Sequence, residues 1–202
     1  MTPLNSSTGR SLAFLAIALV VLSLSACGIN AIPTYDEAVG AAWSQVLNQY
    51  KRRADLIPNL VGTVKGFAAQ ERTVLTEVVE ARAKIARMQI PKDILTNPEA
   101  FKAFEQNQSA LSGALSRLLV VVERYPDLKS NQNFLALQSQ LEGTENRISV
   151  ARRDYITAVQ RYNTELRTIP GRWWRALLYS DAELKEKFTA PESVQEAPQV
   201  KF

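Results

Sequence analysis

The sequence predicts an all-α protein: an antiparallel up-down bundle of three long helices and a shorter C-terminal one, of the four-helix-bundle type. Three observations predict it. Apolar residues recur every three and four positions from Trp43 to Leu166, as a buried helical stripe requires. Glycine and proline make up only 17 of the 202 residues and are scarce within those runs. No useful length between residues 35 and 168 alternates with the period of two of a strand.

Residues 1–26 read as an export signal. Up to Ser11 it is polar, with Arg10 and the free amine as positive charges, and Leu12 to Leu24 is then continuously apolar or small. As a helix this run spans about 20 Å, short of the roughly 30 Å hydrocarbon core, which suits a cleaved signal peptide rather than a retained span. Leu24-Ser25-Ala26-Cys27 follows, and Cys27 is the only cysteine. These residues resemble a bacterial lipobox, with cleavage between Ala26 and Cys27 and a diacylglyceryl thioether on the Cys27 sulfur. Two or three acyl chains make a durable anchor where one would be marginal. The membrane is therefore an expected partner. Gly28 in place of an aspartate favours the outer membrane, facing the periplasm, in a Gram-negative cell.

Residues 27–34 read as a tether, 35–188 as the bundle and 189–202 as a disordered tail. The first seam is Trp43, Val46, Tyr50, Ile57, Leu60, Val64, Phe67, Val74, Val78, Ala81 and Ile85, interrupted by charge at Arg53 and Glu71. Pro58 removes a backbone donor and crowds the Ala54 carbonyl, so a kink is expected there, in a helix that continues to just before Pro91. Thr96-Asn97-Pro98-Glu99 starts helix two by its capping residue, first-turn proline and acid. Its seam is Phe101, Phe104, Gln108, Leu111, Leu115, Leu118, Val122 and Tyr125, and Pro126-Asp127 is the turn. Helix three runs from about Ser130 to Thr168, closed by Pro170-Gly171. The capping box Ser180-Asp181-Ala182-Glu183 signals a fourth helix to about Phe188. Each helix carries one apolar stripe that must be covered, and short connections favour antiparallel neighbours.

Composition excludes several chemistries. The chain has no histidine, so it has no histidine-based nucleophile pair and no histidine metal site. It has no Ser-x-x-Lys, Walker loop or Rossmann glycine set. The net charge is +4, from 24 basic and 20 acidic residues, which does not argue for nucleic-acid binding. No cofactor, metal or small-molecule substrate is expected.

Glu142, Glu145, Ser149 and Arg152 share one face of helix three, while helix one offers Arg52, Arg53, Asp55 and Glu71. With arginines to match the carboxylates, these read as an interhelical ion and amide network that fixes register. Acid-base catalysis, metal binding or ligand binding by the same carboxylates is the alternative. Arg172-Trp173-Trp174-Arg175 reads first as a hydrophobic cap over the bundle's end. The alternative is a membrane interface or a partner's groove. With three long helices rising, returning and rising, this segment is expected at the end distal to the lipid.

The chain resembles the LemA family of membrane-anchored helical proteins from Trp43 to Pro170. The resemblance is carried by Asn48-Gln49-Tyr50, Arg52 to Val61, Glu80-Ala81-Arg82 and Glu123 to Lys129. Further matches are Asn131 to Phe134, Leu141 to Ile148, Ala151 to Tyr155, Tyr162-Asn163 and Ile169-Pro170-Gly171, with Ala197-Pro198-x-Val200-x-Phe202 at the close. It implies an antiparallel four-helix-type bundle held outside the cytoplasm by an N-terminal segment, and it carries over no catalytic residue. The lipobox cysteine in place of a retained span, and residues 172–188 in place of a more apolar segment, depart from the family pattern. The function expected is a non-catalytic envelope lipoprotein that scaffolds or binds other envelope proteins.

Overall fold

The computed structural model describes residues 28–189, and among them there are helices and no strands. The helices are α1 (Ala31–Phe67), α2 (Arg72–Arg87), α3 (Pro98–Val122), the single turn α4 (Pro126–Lys129), α5 (Gln132–Arg167) and α6 (Gly171–Leu178). Cys27, residues 1–26 read as a signal, and residues 190–202 lie outside the described residues.

α1 and α5 form the long antiparallel spine. Trp43 meets Tyr155 with ring centroids 5.3 Å apart, and Arg53 meets Glu145 at 3.0 Å, so rising numbers on one helix face falling numbers on the other. α3 runs parallel to α1, with Phe104 5.1 Å from the Trp43 ring and Ser112 2.8 Å from Arg53. α2 runs back between them, with Arg82 donating to the Ala54 carbonyl and Glu77 accepting from Arg117. The all-α, up-down bundle is thus the fold.

The caps follow the local sequence. The Asn97 side chain accepts from the Ala100 N–H at 3.1 Å, with Pro98 in the first turn of α3. Asn131 accepts from the amides of Asn133 and Phe134 and starts α5. Each cap satisfies donors that the first helical turn leaves open.

Three expectations about the elements need correction. α1 begins at Ala31, inside the stretch read as a tether. It passes through Pro58 without a break, as expected, but the helix expected to continue to just before Pro91 breaks at residues 68–71. The heptad phase survives because α1 and α2 both turn their stripes to one core: Ile57, Leu60, Val64, Leu75 and Val78 pack in a single cluster. A hairpin therefore reads like one long rod. The corner is polar, with Gln70 donating to the Tyr125 hydroxyl and Tyr125 donating to Glu71 at 2.7 Å. The fourth helix is α6, and the residues expected to be helical from Ser180 onwards instead run as a non-helical strap.

That strap, residues 182–189, covers the α1–α5 pair below the start of α3. Glu186 donates its N–H to the Leu95 carbonyl at 2.7 Å and accepts on its own carbonyl from the Tyr155 hydroxyl at 2.6 Å. Asn163 holds Lys185 from both sides, donating to its carbonyl and accepting from its N–H, each at 2.9 Å. Phe188 then enters the aromatic cluster of Trp43, Phe101 and Tyr155. The strap's backbone groups are bonded by the Leu95 carbonyl and by the side chains of Tyr155 and Asn163, which stand in for helical bonds.

The extra reversal at residues 68–71 has a consequence for the C-terminal end. The chain rises, falls, rises and falls, so α6 lies beside the start of α1 rather than at the far end. The Tyr179 hydroxyl donates to the Ile29 carbonyl at 3.0 Å. A Cβ on Gly28 would sit 3.5 Å from Pro170 Cγ and 3.9 Å from the Trp174 indole nitrogen. Gly171 makes this turn possible, because a Cβ there would collide with the Glu165 carbonyl oxygen.

Candidate functional site

The bundle has two apolar cores, one around Trp43, Phe104 and Tyr155 and one around Ile57, Leu118 and Phe134. Between them lies a polar layer contributed by all three long helices: Arg53, Gln108 and Thr144, each buried. Arg53 is 1% exposed. Its Nη1 donates to Ser112 Oγ at 2.8 Å and Glu145 Oε1 at 3.0 Å, while Nη2 donates to Gln108 Oε1 at 2.7 Å and the Gln108 carbonyl at 3.2 Å. The guanidinium carbon lies 5.1 Å from the Tyr50 ring centroid. Only Nε lacks a partner.

Toward the strap the layer opens into a cleft of about 470 Å³ between α3 and α5, closed below by Phe188 and Thr189. Glu105 faces Arg152 across it at 3.8 Å, an ion pair without a hydrogen bond, and the Arg152 guanidinium stacks over the Phe188 ring at 4.3 Å. Burial raises the Glu105 carboxyl above its ordinary range, opposed by the Thr189 N–H and the Arg152 charge. Burial also raises the Tyr50 phenol. A carboxylate tied to a buried guanidinium is a poor general base, and among the described residues no three acids converge closely enough to hold a metal ion. Chemically, the layer is suited to fixing register.

The residues singled out from the sequence fall into separate places. Arg53 and Glu145 meet directly, and Arg152 lines the same cleft. Arg52 and Asp55 are exposed on the opposite side of α1. Glu142 is exposed and accepts only from Gln138, one turn earlier on its own helix. Glu71 belongs to the far corner, paired with Arg124 at 3.0 Å and with Tyr125. Sequence reasoning placed Gln108 in the seam but not in the network, and left out Ser112 and Glu105. The signal for Gln108 was present, since it is the one polar residue between Phe101 and Tyr125 in the seam of α3.

The Trp–Arg segment divides. Trp174 is half-buried against the lower core, as a cap is, whereas Trp173 is 63% exposed and Arg172 is exposed beside it. Arg175 is half-buried. No helix among the described residues is long and apolar enough to cross a membrane.

Comparison with known proteins finds relatives across most of the bundle's sequence. The chain is 27% identical over 166 residues to Magnetosome protein MamQ 1 of Paramagnetospirillum magneticum, covering 74% of this chain and 60% of that protein. It is 26% identical over 184 residues to Magnetosome protein MamQ of Magnetospirillum gryphiswaldense, covering 80% and 68%. Protein LemA of Metamycoplasma hominis is 24% identical over 118 residues, covering 58% and 50%. The chain thus spans about 60% of the length of the first of these relatives. None of these names carries an enzymatic activity. The model of the LemA family matches residues 42–202, four-fifths of the sequence, and the chain belongs to the LemA family.

Proposed function

We propose that this protein is a non-catalytic lipoprotein of the bacterial cell envelope, a membrane-tethered helical bundle that acts as a scaffold or interaction module. The observation that carries the reading is the junction Leu24-Ser25-Ala26-Cys27, which sets the chain's only sulfur nucleophile directly behind an apolar run and directly before Gly28, where the bundle's base begins. Two features support a mechanical role over a chemical one. Glu145 is held by Arg53, and Glu71 by Arg124 and Tyr125. α1, of 37 residues, makes a rod of about 55 Å, long enough to hold a binding surface away from a bilayer. The expected place is the extracytoplasmic face of a membrane, the outer membrane in a Gram-negative cell.

A second reading, a ligand-binding bundle, is favoured by one observation: the cleft beside Arg53 is lined by Ser109, Ser112, Ser149 and the amide of Gln106 as well as by charges. It takes second place because Arg53 already makes four hydrogen bonds, to Ser112, Glu145 and Gln108.

Metabolic labelling with a radioactive fatty acid, with and without globomycin, tests the anchor. The expected result is label on the wild type, none on Cys27→Ser, and an unprocessed precursor under globomycin. Unlabelled wild-type protein overturns it. In-cell crosslinking followed by purification tests the scaffold: the expected result is a reproducible envelope protein, and a bound small molecule without one favours the second reading.

A further inference from the structure

The outward face of α6 and the turn before it gathers exposed apolar side chains that elsewhere among the described residues stand singly. Among the described residues ten large apolar side chains are exposed, and four of them, Ile169, Trp173, Leu177 and Leu178, lie within ten residues of one another. Ile169, Arg172, Trp173, Ala176 and Leu177 share one face at helical spacing. Ile169 is 64%, Trp173 63% and Leu177 74% exposed. A soluble surface does not concentrate such residues without a contact to make. From Arg167 to Ser180 there are three arginines and no acid.

Position names the occupant. This face lies at the end of the bundle where Gly28 packs by Pro170 and Trp174 and where Tyr179 is bonded to Ile29. The Cα of Cys27 is about 3.8 Å from that of Gly28, and Leu24 is within about 14 Å of it. Whatever holds the amino-terminal segment in a bilayer therefore brings α6 near the same bilayer.

We propose that α6 is a second membrane contact, seating Ile169, Trp173 and Leu177 at the boundary between headgroups and acyl chains, with Arg172 and Arg175 on anionic lipid phosphates. The proposal rests on the membrane-anchored reading and adds a site to it. Tryptophan suits this depth because its ring is apolar and its N–H finds headgroup acceptors. A short amphipathic helix with a cationic flank binds weakly alone, but the anchor raises its effective concentration at the surface. Two attachments, one covalent and one by α6, fix how the rod stands on the membrane where a tether alone leaves it free to swing.

The experiment uses the full mature chain reconstituted in vesicles of equal parts phosphatidylcholine and phosphatidylglycerol. With the Cys27 sulfur blocked as its diacylglyceryl thioether, Ala176→Cys at an exposed position supplies the only free thiol, and a nitroxide there reports its surroundings. A nitroxide at Val120, exposed near the far end of α3, is the reference. The expected result is that the label at 176 is shielded from a water-soluble relaxant and reached by oxygen dissolved in lipid, and the label at 120 the reverse. Arg172→Glu with Arg175→Glu, or vesicles of phosphatidylcholine alone, should weaken the seating by ~30-fold. Equal exposure of both labels to the aqueous relaxant in protein that floats with vesicles overturns the proposal. Protein that fails to float at all overturns the anchor instead. Shielding at 176 that appears only when a crosslinked protein is present assigns the face to a protein partner and also overturns it.

Discussion

Arg82 Nε donates at 3.0 Å to the carbonyl of Ala54, the acceptor that Pro58 leaves without its helical donor. In an uninterrupted helix that carbonyl receives the N–H four residues on, and proline has none. The guanidinium of a neighbouring helix supplies the bond instead, so α1 remains helical through Pro58. It also links α2 to α1 at the height of the polar layer. Arg82→Leu should therefore lower stability by about 1–2 kcal/mol, because a partly buried carbonyl loses a charged donor. In a Pro58→Ala background the backbone N–H returns, and the same substitution should cost clearly less. Urea unfolding of the four combinations measures the coupling; equal costs in both backgrounds would show that Arg82 acts elsewhere.

Glu142 and Glu145, one turn apart, should behave very differently. Glu145→Ala removes the carboxylate from a guanidinium that is 1% exposed, leaving a buried charge without its counterion. Its own carboxylate is 42% exposed, so solvent softens the effect, and a loss of about 2 kcal/mol is expected. Glu142→Ala removes only an exposed bond to Gln138 and should cost less than about 0.5 kcal/mol. Thermal melts of the two variants check this contrast.

Those two residues also show what the sequence could reveal. Spacing put Glu142, Glu145 and Arg152 on one side of α5, but a helix face is wider than a contact. The partner helix chose Glu145 because Arg53 projects at its height. The seam positions themselves were readable: Trp43, Ile57, Phe104, Leu118, Phe134 and Tyr155 are all buried. The hairpin at residues 68–71 was hidden because two helices facing one core keep the same period as one. Its trace was Glu71, a charge in the seam that proves to be a corner residue. The strap was hidden for another reason. Ser180-Asp181-Ala182-Glu183 has the residue types of a helix start, yet the groups that hold this segment, Asn163, Tyr155 and Leu95, are far away in sequence. Local patterns carry no information about such partners.

Phe188 is the strap's anchor in the core. It is 5% exposed and packs on Trp43, Phe101 and Tyr155. Phe188→Ala should cost about 3 kcal/mol, at the low end for a buried aromatic because the adjoining cleft lets the cavity fill with water. The loss should be local in its first effect: amide exchange at Lys185 and Glu186 should rise more than exchange in the middle of α5. Uniform loss of protection would instead mean that the strap and the spine unfold as one unit.

Two buried phenols give the bundle an alkaline limit. Burial pushes Tyr162 up to about 12, helped by the Asp36 carboxylate, and burial raises Tyr155, whose hydroxyl donates to the Glu186 carbonyl. In the unfolded chain these phenols titrate near the ordinary value of about 10. Above that pH the unfolded chain releases its phenolic protons before the folded one does. The folded-state contribution is therefore complete below about pH 10 and is lost as pH rises through the interval up to the folded value. Each tyrosine steepens the decline by no more than about 1.4 kcal/mol per pH unit. Tyr162→Phe keeps the ring under Lys185 and removes one titrating group, so its stability should fall less steeply than that of the wild type between about pH 10 and 12. Tyr155→Phe should flatten the same interval but start lower at neutral pH, because the Glu186 carbonyl loses its donor. Denaturant unfolding followed at several pH values, with tyrosinate absorbance recorded alongside, separates the two: parallel curves for wild type and Tyr162→Phe would rule out this phenol as a source of the alkaline loss.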